Sequence, residues 1–275
     1  MSESSAFILR AALIAAAAVF GFWLIVCSTL WVMQTKMVYH PSQDILSPEA
    51  YDLEDVKRDV MTTHDGQNLE IWSAEPEEGR PVIAFFHGNA GNLSHRVPIF
   101  RMFQDAGLGF VAMDYRGYGN STGRPRAQDI RLDSEALLNR MNSLGIEDAR
   151  IIAYGESLGS GIAAELAARR DLAGLVVQSG YTSTLDVAKA TAPFAPVNLL
   201  FTERFDTLNN IGDVSAPVLI MHGSADATFP VSMALANAAA APAPVMTQIF
   251  PGAGHDLDPE TMTVPFRTFL TWVGK

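Results

Sequence analysis

Six stretches of this 275-residue chain are apolar almost without interruption: Pro81–His87, Gly107–Asp114, Ala149–Tyr154, Leu172–Gln178, Pro217–His222 and Val245–Phe250. A strand with one face in a core alternates apolar and polar residues, whereas a strand covered on both faces does not. Helical patterns separate these runs near Leu93–Asp105, Ala127–Leu144, Leu158–Arg170 and Val231–Ala241, and another, Pro259–Val273, closes the chain. Such alternation implies a mostly parallel sheet with helices on both sides. Upstream, Glu54–Thr63 and Asn68–Ala74 flank His64-Asp65-Gly66-Gln67, whose Asp-Gly pair favours a tight antiparallel hairpin. The one long interruption, Tyr181–Ser215, is rich in Phe, Leu and Pro. It reads as a small helical insertion after the sixth strand, over the carboxyl edge of the sheet.

A seventh apolar run has a different character. Ala11–Met33 holds 20 apolar residues in 23 without a charge, and accounts for a mean hydropathy of +0.14 in a chain with 18% charged residues. At about 1.5 Å per residue it spans roughly 34 Å, enough for a hydrocarbon core of about 30 Å. A cleaved signal peptide is the rival reading, but the run exceeds the usual signal core and no clear Ala-x-Ala site follows. Cys27 makes a poor lipoprotein site, with Val26 where a small residue is wanted. Residues 1–35 are therefore expected to be an uncleaved anchor, with about 11–33 in the bilayer and Trp31 near an interface. Residues 36–275 form the domain. Arg10 and the α-amino group outweigh Lys36, which places the domain on the non-cytoplasmic side.

Nineteen basic against thirty acidic residues give a net charge of −11. Only Glu3 and Arg10 precede the apolar run and they cancel, so the whole excess belongs to the domain. That sign repels phosphate backbones, and no nucleic-acid partner is expected. The single cysteine, Cys27, lies in the anchor, so the domain has no disulfide, no cysteine-based metal site and no thiol nucleophile.

Gly155-Glu156-Ser157-Leu158-Gly159 follows a strand run and opens a helix. Glycines relieve crowding at such a turn, which projects Ser157 above the sheet as a candidate nucleophile. A serine hydroxyl needs a base, and the base needs an orienting acid. Of six histidines, His40 and His64 sit in a juxtamembrane segment and a turn, and His95 lies near a helix start. His87 and His222 end strands before a glycine and read as packing groups. His255, in a small-residue loop after the last strand, is where the base belongs if chain order is nucleophile, acid, base. Asp226, just past the preceding strand, is the candidate acid, with Asp256 the remaining competitor. The backbone N–H of Leu158 and that of Asn89, in His87-Gly88-Asn89-Ala90-Gly91-Asn92, are the candidate oxyanion donors. Gly159-Ser160-Gly161-Ile162-Ala163-Ala164 also matches a dinucleotide fingerprint. The next strand ends at Gln178 without the acid a ribose needs, so this stretch reads as close helix–sheet packing.

In this order, His87-Gly88-Asn89, Asp114-Tyr115-Arg116-Gly117-Tyr118-Gly119, Gly155-Glu156-Ser157-Leu158-Gly159, His222-Gly223-Ser224-Ala225-Asp226 and Gly254-His255 resemble the α/β-hydrolase superfamily. Over residues 15–275 the chain is similar to its membrane-anchored bud-emergence-type branch and to serine-aminopeptidase-like domains. Met37-Val38-Tyr39-His40-Pro41 and Arg204-Phe205-Asp206 fit that branch. The resemblance implies an α/β-hydrolase fold, with Ser157 as nucleophile, Asp226 as acid, His255 as base, and Asn89 with Leu158 as oxyanion donors. It implies a serine hydrolase acting on an ester, thioester or amide without cofactor or metal. The anchor and the Phe194, Leu199, Leu200, Phe201 stretch point to an acylated or lipid-like substrate. A non-catalytic membrane scaffold that keeps the fold is the alternative.

Overall fold

In the computed structural model, which describes residues 3–242 and 244–273, the six apolar runs lie side by side in one eight-stranded sheet. Met1 and Ser2 of the expected anchor, and Ala243, Gly274 and Lys275 of the expected domain, lie outside the described residues. An antiparallel hairpin, β1 (Lys57–Thr62) and β2 (Asn68–Ala74), forms one edge. Strands β3 (Val82–Phe86), β4 (Gly109–Met113), β5 (Ile151–Glu156), β6 (Gly174–Gln178), β7 (Val218–Gly223) and β8 (Val245–Phe250) are parallel. The spatial order is β1-β2-β4-β3-β5-β6-β7-β8, so the chain reverses direction of travel around β3.

The unbroken apolar character of the strands has its cause in two cores. On one face, Val82, Ala84 and Phe86 of β3 pack with α3 (Ala127–Ser143) and α4 (Gly159–Arg169). On the other, Ile83 and Phe85 meet Phe100 and Phe103 of α2 (Val97–Asp105) and Phe266 of α9 (Pro259–Leu270). Successive strand residues point to opposite faces, so both sets must be apolar. The helix expected near Leu93–Asp105 is a 3₁₀ turn at Leu93–Arg96 followed by α2, with Pro98 in its first turn. Proline has no N–H to give and is tolerated there.

The region Tyr181–Ser215 does follow the sixth sheet strand and carries α5 (Thr184–Thr191), α6 (Val197–Leu200) and α7 (Thr207–Ile211). Phe205 and Ile211 anchor it in the core, and α7 packs on α4 and on α8 (Val231–Ala240). The amino-terminal helix, α1, runs from Glu3 to Val38 and outlasts the apolar run at both ends. Its stretch Phe7–Val38 is long and apolar enough to cross a membrane. The helix therefore extends past the expected 35/36 boundary, and Tyr39 N still donates to Thr35 O at 2.9 Å.

The glycines around Ser157 are demanded by contact. A Cβ on Gly159 would run into the carbonyl oxygen of Phe86, which is fixed backbone. Gly159→Ala is expected to cost about 2–3 kcal/mol, the upper part of the overpacking range, because no side chain can move aside. A thermal melt should show a loss of roughly 5–10 °C; an unchanged melting temperature contradicts this packing.

Candidate active site

Ser157 sits at the junction of β5 and α4 with φ of +50°, a left-handed conformation that a non-glycine residue adopts at some energetic cost. Two hydrogen bonds hold it there: Ser157 N donates to Gln178 O at 2.8 Å and Ser160 N to Ser157 O at 3.0 Å. A Cβ on Gly155 would collide with the backbone of Gly159 and Ser160, so only glycine permits the chain to fold back this sharply. The consequence is a serine hydroxyl raised above the carboxyl edge of the sheet.

Two loops from neighbouring strands converge on it. His255 follows β8, and its Nε2 lies 2.9 Å from Ser157 Oγ. Asp226 follows β7, and its Oδ2 lies 2.8 Å from His255 Nδ1. With Nδ1–H donated to Asp226, Nε2 presents its lone pair to the serine hydroxyl. The Asp226 side chain is fully buried, whereas His255 keeps about a quarter of its surface, 23%, open to the cavity. The other carboxylate oxygen of Asp226 accepts from Thr228 N at 2.8 Å and Phe229 N at 2.9 Å, which fixes its orientation. Asp256 is not part of this line; it is exposed and borders a separate depression with Arg96 and Pro259.

Asn89 and Leu158 lie in the wall of the same cavity as Ser157 and His255, a space of about 370 Å³. The Asn89 side chain is committed elsewhere, donating to Val38 O at 2.8 Å. Its loop is held from below by two tyrosines of the Asp114–Gly119 segment: Tyr115 OH donates to His87 O at 2.8 Å and Tyr118 OH to Asn89 O at 2.7 Å. His87 is a buried packing group, its ring tilted against that of Tyr115 with centroids 4.0 Å apart, and paired with Asp114 at 3.4 Å. Burial pushes the Asp114 carboxyl up from its ordinary range, against the pull of His87. His222 likewise stays inside the fold, its Nε2 2.8 Å from Phe229 O. Beside the Asn89 loop, Arg96 and Glu156 form a mostly buried pair at 2.8 Å.

Several supports carry no sequence signal. Ser179 Oγ donates to the backbone of His255 at 2.7 Å, Tyr181 OH donates to Leu158 O at 2.9 Å, and Phe229 meets the His255 ring edge-on at 5.2 Å. Arg204 and Asp206 are structural, Arg204 bonding Phe201 O at 2.8 Å and Asp206 capping α7 through Asn209 N at 3.0 Å. Among the described residues, no three His, Cys, Asp or Glu side chains converge as a metal site requires.

Relatives place the chain in a family. The family described as "Serine aminopeptidase, S33" matches residues 77–201. An uncharacterized protein of Mycobacterium tuberculosis is 33% identical over 254 residues, 90% of each chain. The α/β-hydrolase domain-containing protein WAV2 of Arabidopsis thaliana is 30% identical over 239 residues, 77% of each chain. Protein bem46 of Schizosaccharomyces pombe is 29% identical over 223 residues, 75% of this chain and 74% of its own. The chain belongs to the bud-emergence-type branch of the α/β-hydrolase superfamily. An esterase of Pyrococcus furiosus shares the α/β-hydrolase fold with a TM-score of 0.67 at 21% identity, covering 86% of this chain and 98% of the esterase. In α/β-hydrolase terms, Ser157 occupies the strand-to-helix turn, and Asp226 and His255 occupy the two loops beyond it. The family supports hydrolase activity for the chain.

Proposed function

We propose that this protein is a membrane-anchored serine hydrolase that cleaves a carboxylic ester or thioester, or an amide, through an acyl-enzyme on Ser157. The observation that carries the reading is the continuous line Ser157 Oγ, His255 Nε2, His255 Nδ1, Asp226 Oδ2, with steps of 2.9 and 2.8 Å, opening on an apolar cavity. Ser157 Oγ attacks the acyl carbonyl carbon while its proton passes to His255 Nε2. Asp226 holds the resulting imidazolium, and the N–H groups of Leu158 and Asn89 take the developing oxyanion. Collapse breaks the bond to the alcohol or thiol, which leaves with the proton from Nε2. Water, deprotonated by the same nitrogen, then attacks the acyl-enzyme, releases the acid and restores the serine hydroxyl. These steps use only the named residues and water.

An ester is favoured over a peptide amine, because no carboxylate stands among the residues lining the cavity to hold an ammonium group. The helix Phe7–Val38 supplies the anchor, and the slight bias of Arg10 and the α-amino group over Lys36, on the two sides of the apolar run Ala11–Met33, supports a domain on the non-cytoplasmic side. Turnover of p-nitrophenyl acetate by the full chain and by Ser157→Ala tests the reading. The variant should fall at least about 10⁴-fold; hydrolysis unchanged by the substitution overturns it.

A further inference from the structure

The cavity above Ser157 has an unusual wall. Leu30, Trp31, Gln34, Met37 and Val38 of α1 line it, opposite α5 and α6 of the insertion. Their spacing is i, i+1, i+4, i+7, i+8, which is one face of a helix. We infer that this last part of α1 is one side of an acyl-chain site: the chain of a long-chain ester or thioester lies between Leu30–Val38 and the insertion, reached from the bilayer, with its carbonyl at Ser157. The inference rests on the reading of Ser157 as nucleophile and names the substrate class that reading leaves open.

The packing of α1 changes along its length. The described side chains from Ser4 to Phe20 are all exposed, whereas covered positions recur at Trp23, Val26, Cys27, Leu30, Gln34 and Val38. That is a helical stripe facing the insertion. Polar contacts bolt the stripe in place. Trp23 Nε1 donates to Phe194 O at 3.0 Å. Gln34, buried, accepts from Thr202 N at 2.7 Å and donates to Leu200 O at 3.3 Å. Just past the helix, Tyr39 OH donates at 2.9 Å to buried Glu203, which also accepts from Ala127 N at 2.7 Å. The end of α1 also reaches the chemistry directly. Val38 O accepts from the Asn89 side chain, and His40–Pro41 pairs in parallel with Ala90–Gly91.

Length fixes where this wall sits. The apolar span of 32 residues measures about 48 Å at 1.5 Å per residue, against a hydrocarbon core of about 30 Å. At that rise about twenty residues fill the core, which from Ala11 reaches Leu30, so the cavity wall Leu30–Val38 emerges at the bilayer surface. Phe194 at 55% and Leu199 at 82% exposure continue the apolar surface from α1 across the insertion. A molecule resident in the leaflet can pass along this surface without crossing water. A soluble substrate gains nothing from it, whereas each methylene buried against such walls improves kcat/KM by up to about fourfold.

The test uses the full chain in phosphatidylcholine nanodiscs and p-nitrophenyl esters from butyrate to laurate. Wild type should favour laurate over butyrate. Leu30→Trp, on the α1 side, and Leu200→Trp, on the insertion side, should each lower the laurate-to-butyrate ratio of kcat/KM at least about tenfold. Val32→Trp, at 71% exposure and outside the cavity lining, should leave that ratio unchanged. The two narrowing variants lie on different elements, so misfolding of one leaves the other to decide. An unaltered ratio in the folded variants, or a wild type that prefers butyrate, overturns the acyl site while leaving the acyl-enzyme reading intact. A wild type that hydrolyses no ester of the series removes the acyl-enzyme reading itself, and the acyl site with it.

Discussion

His255→Ala lowers kcat for ester hydrolysis by at least about 10⁴-fold, and Asp226→Asn by about 10⁴-fold, with little change in stability for the second. The two losses have different origins. Without the imidazole, nothing within reach of Ser157 Oγ takes its proton, since the contact at 2.9 Å is to His255 Nε2. In Asp226→Asn the side chain keeps its size and still offers an oxygen to Thr228 N and Phe229 N, so the loop stays in place. The atom facing His255 Nδ1 at 2.8 Å then becomes an amide donor or a neutral acceptor. The ring no longer gains a charged partner when it takes the serine proton. Steady-state kinetics beside a thermal melt separates catalysis from folding. Asp226→Asn that retains more than a tenth of wild-type kcat would contradict this role for Asp226.

Arg116→Leu unfolds the protein with about 3–5 kcal/mol less work, measured by urea denaturation, while leaving the line through Ser157 untouched. Arg116 is 4% exposed and grips two carboxylates with paired hydrogen bonds: Asp133 at 2.6 and 2.8 Å, Asp65 at 2.6 and 2.9 Å. Asp133 is 1% exposed, so removing the guanidinium leaves a buried charge without its counter-ion. Burial already raises the Asp133 carboxyl above its ordinary range despite Arg116. A raised carboxyl stabilises the fold only below its folded pKa and loses that contribution as pH climbs through it. The variant should therefore suffer less at pH 4 than at pH 7. Asp65 runs the other way: the Arg116 hydrogen bond holds its carboxyl below the usual range, and that contribution fades on acidification. An Arg116→Leu variant as stable as wild type at pH 7 contradicts the assignment of Arg116 as the core of this network.

The parts of the fold that read directly from residues are those where one local requirement dominates. Strands β3 to β8 follow from apolar runs because burial on both faces forbids alternation, and the β1–β2 turn follows from Asp65-Gly66. The Ser157 turn is legible because Gly155 and Gly159 have no substitute there. Asp226 and His255 are legible only as loop residues after strands; their meeting depends on β7 and β8 being neighbours. Ser179, Tyr181 and Phe229 give no warning, since their roles come from tertiary placement. The division of labour within α1 is hidden for another reason. Leu30 and Val32 are equivalent in composition, yet one faces the cavity and the other is exposed. Gln34 alone hints at it, a buried amide in an apolar helix that needs partners of its own.

Covalent labelling reads the nucleophilicity of Ser157 itself. The full chain is treated with a fluorophosphonate probe, digested and mapped by mass spectrometry, with His255→Ala and Ser157→Ala alongside. One adduct is expected, on the Oγ of Ser157, absent in Ser157→Ala and formed far more slowly in His255→Ala. Folded protein that takes up no probe, or that carries it on another residue with Ser157 free, would contradict the assignment of Ser157 as nucleophile.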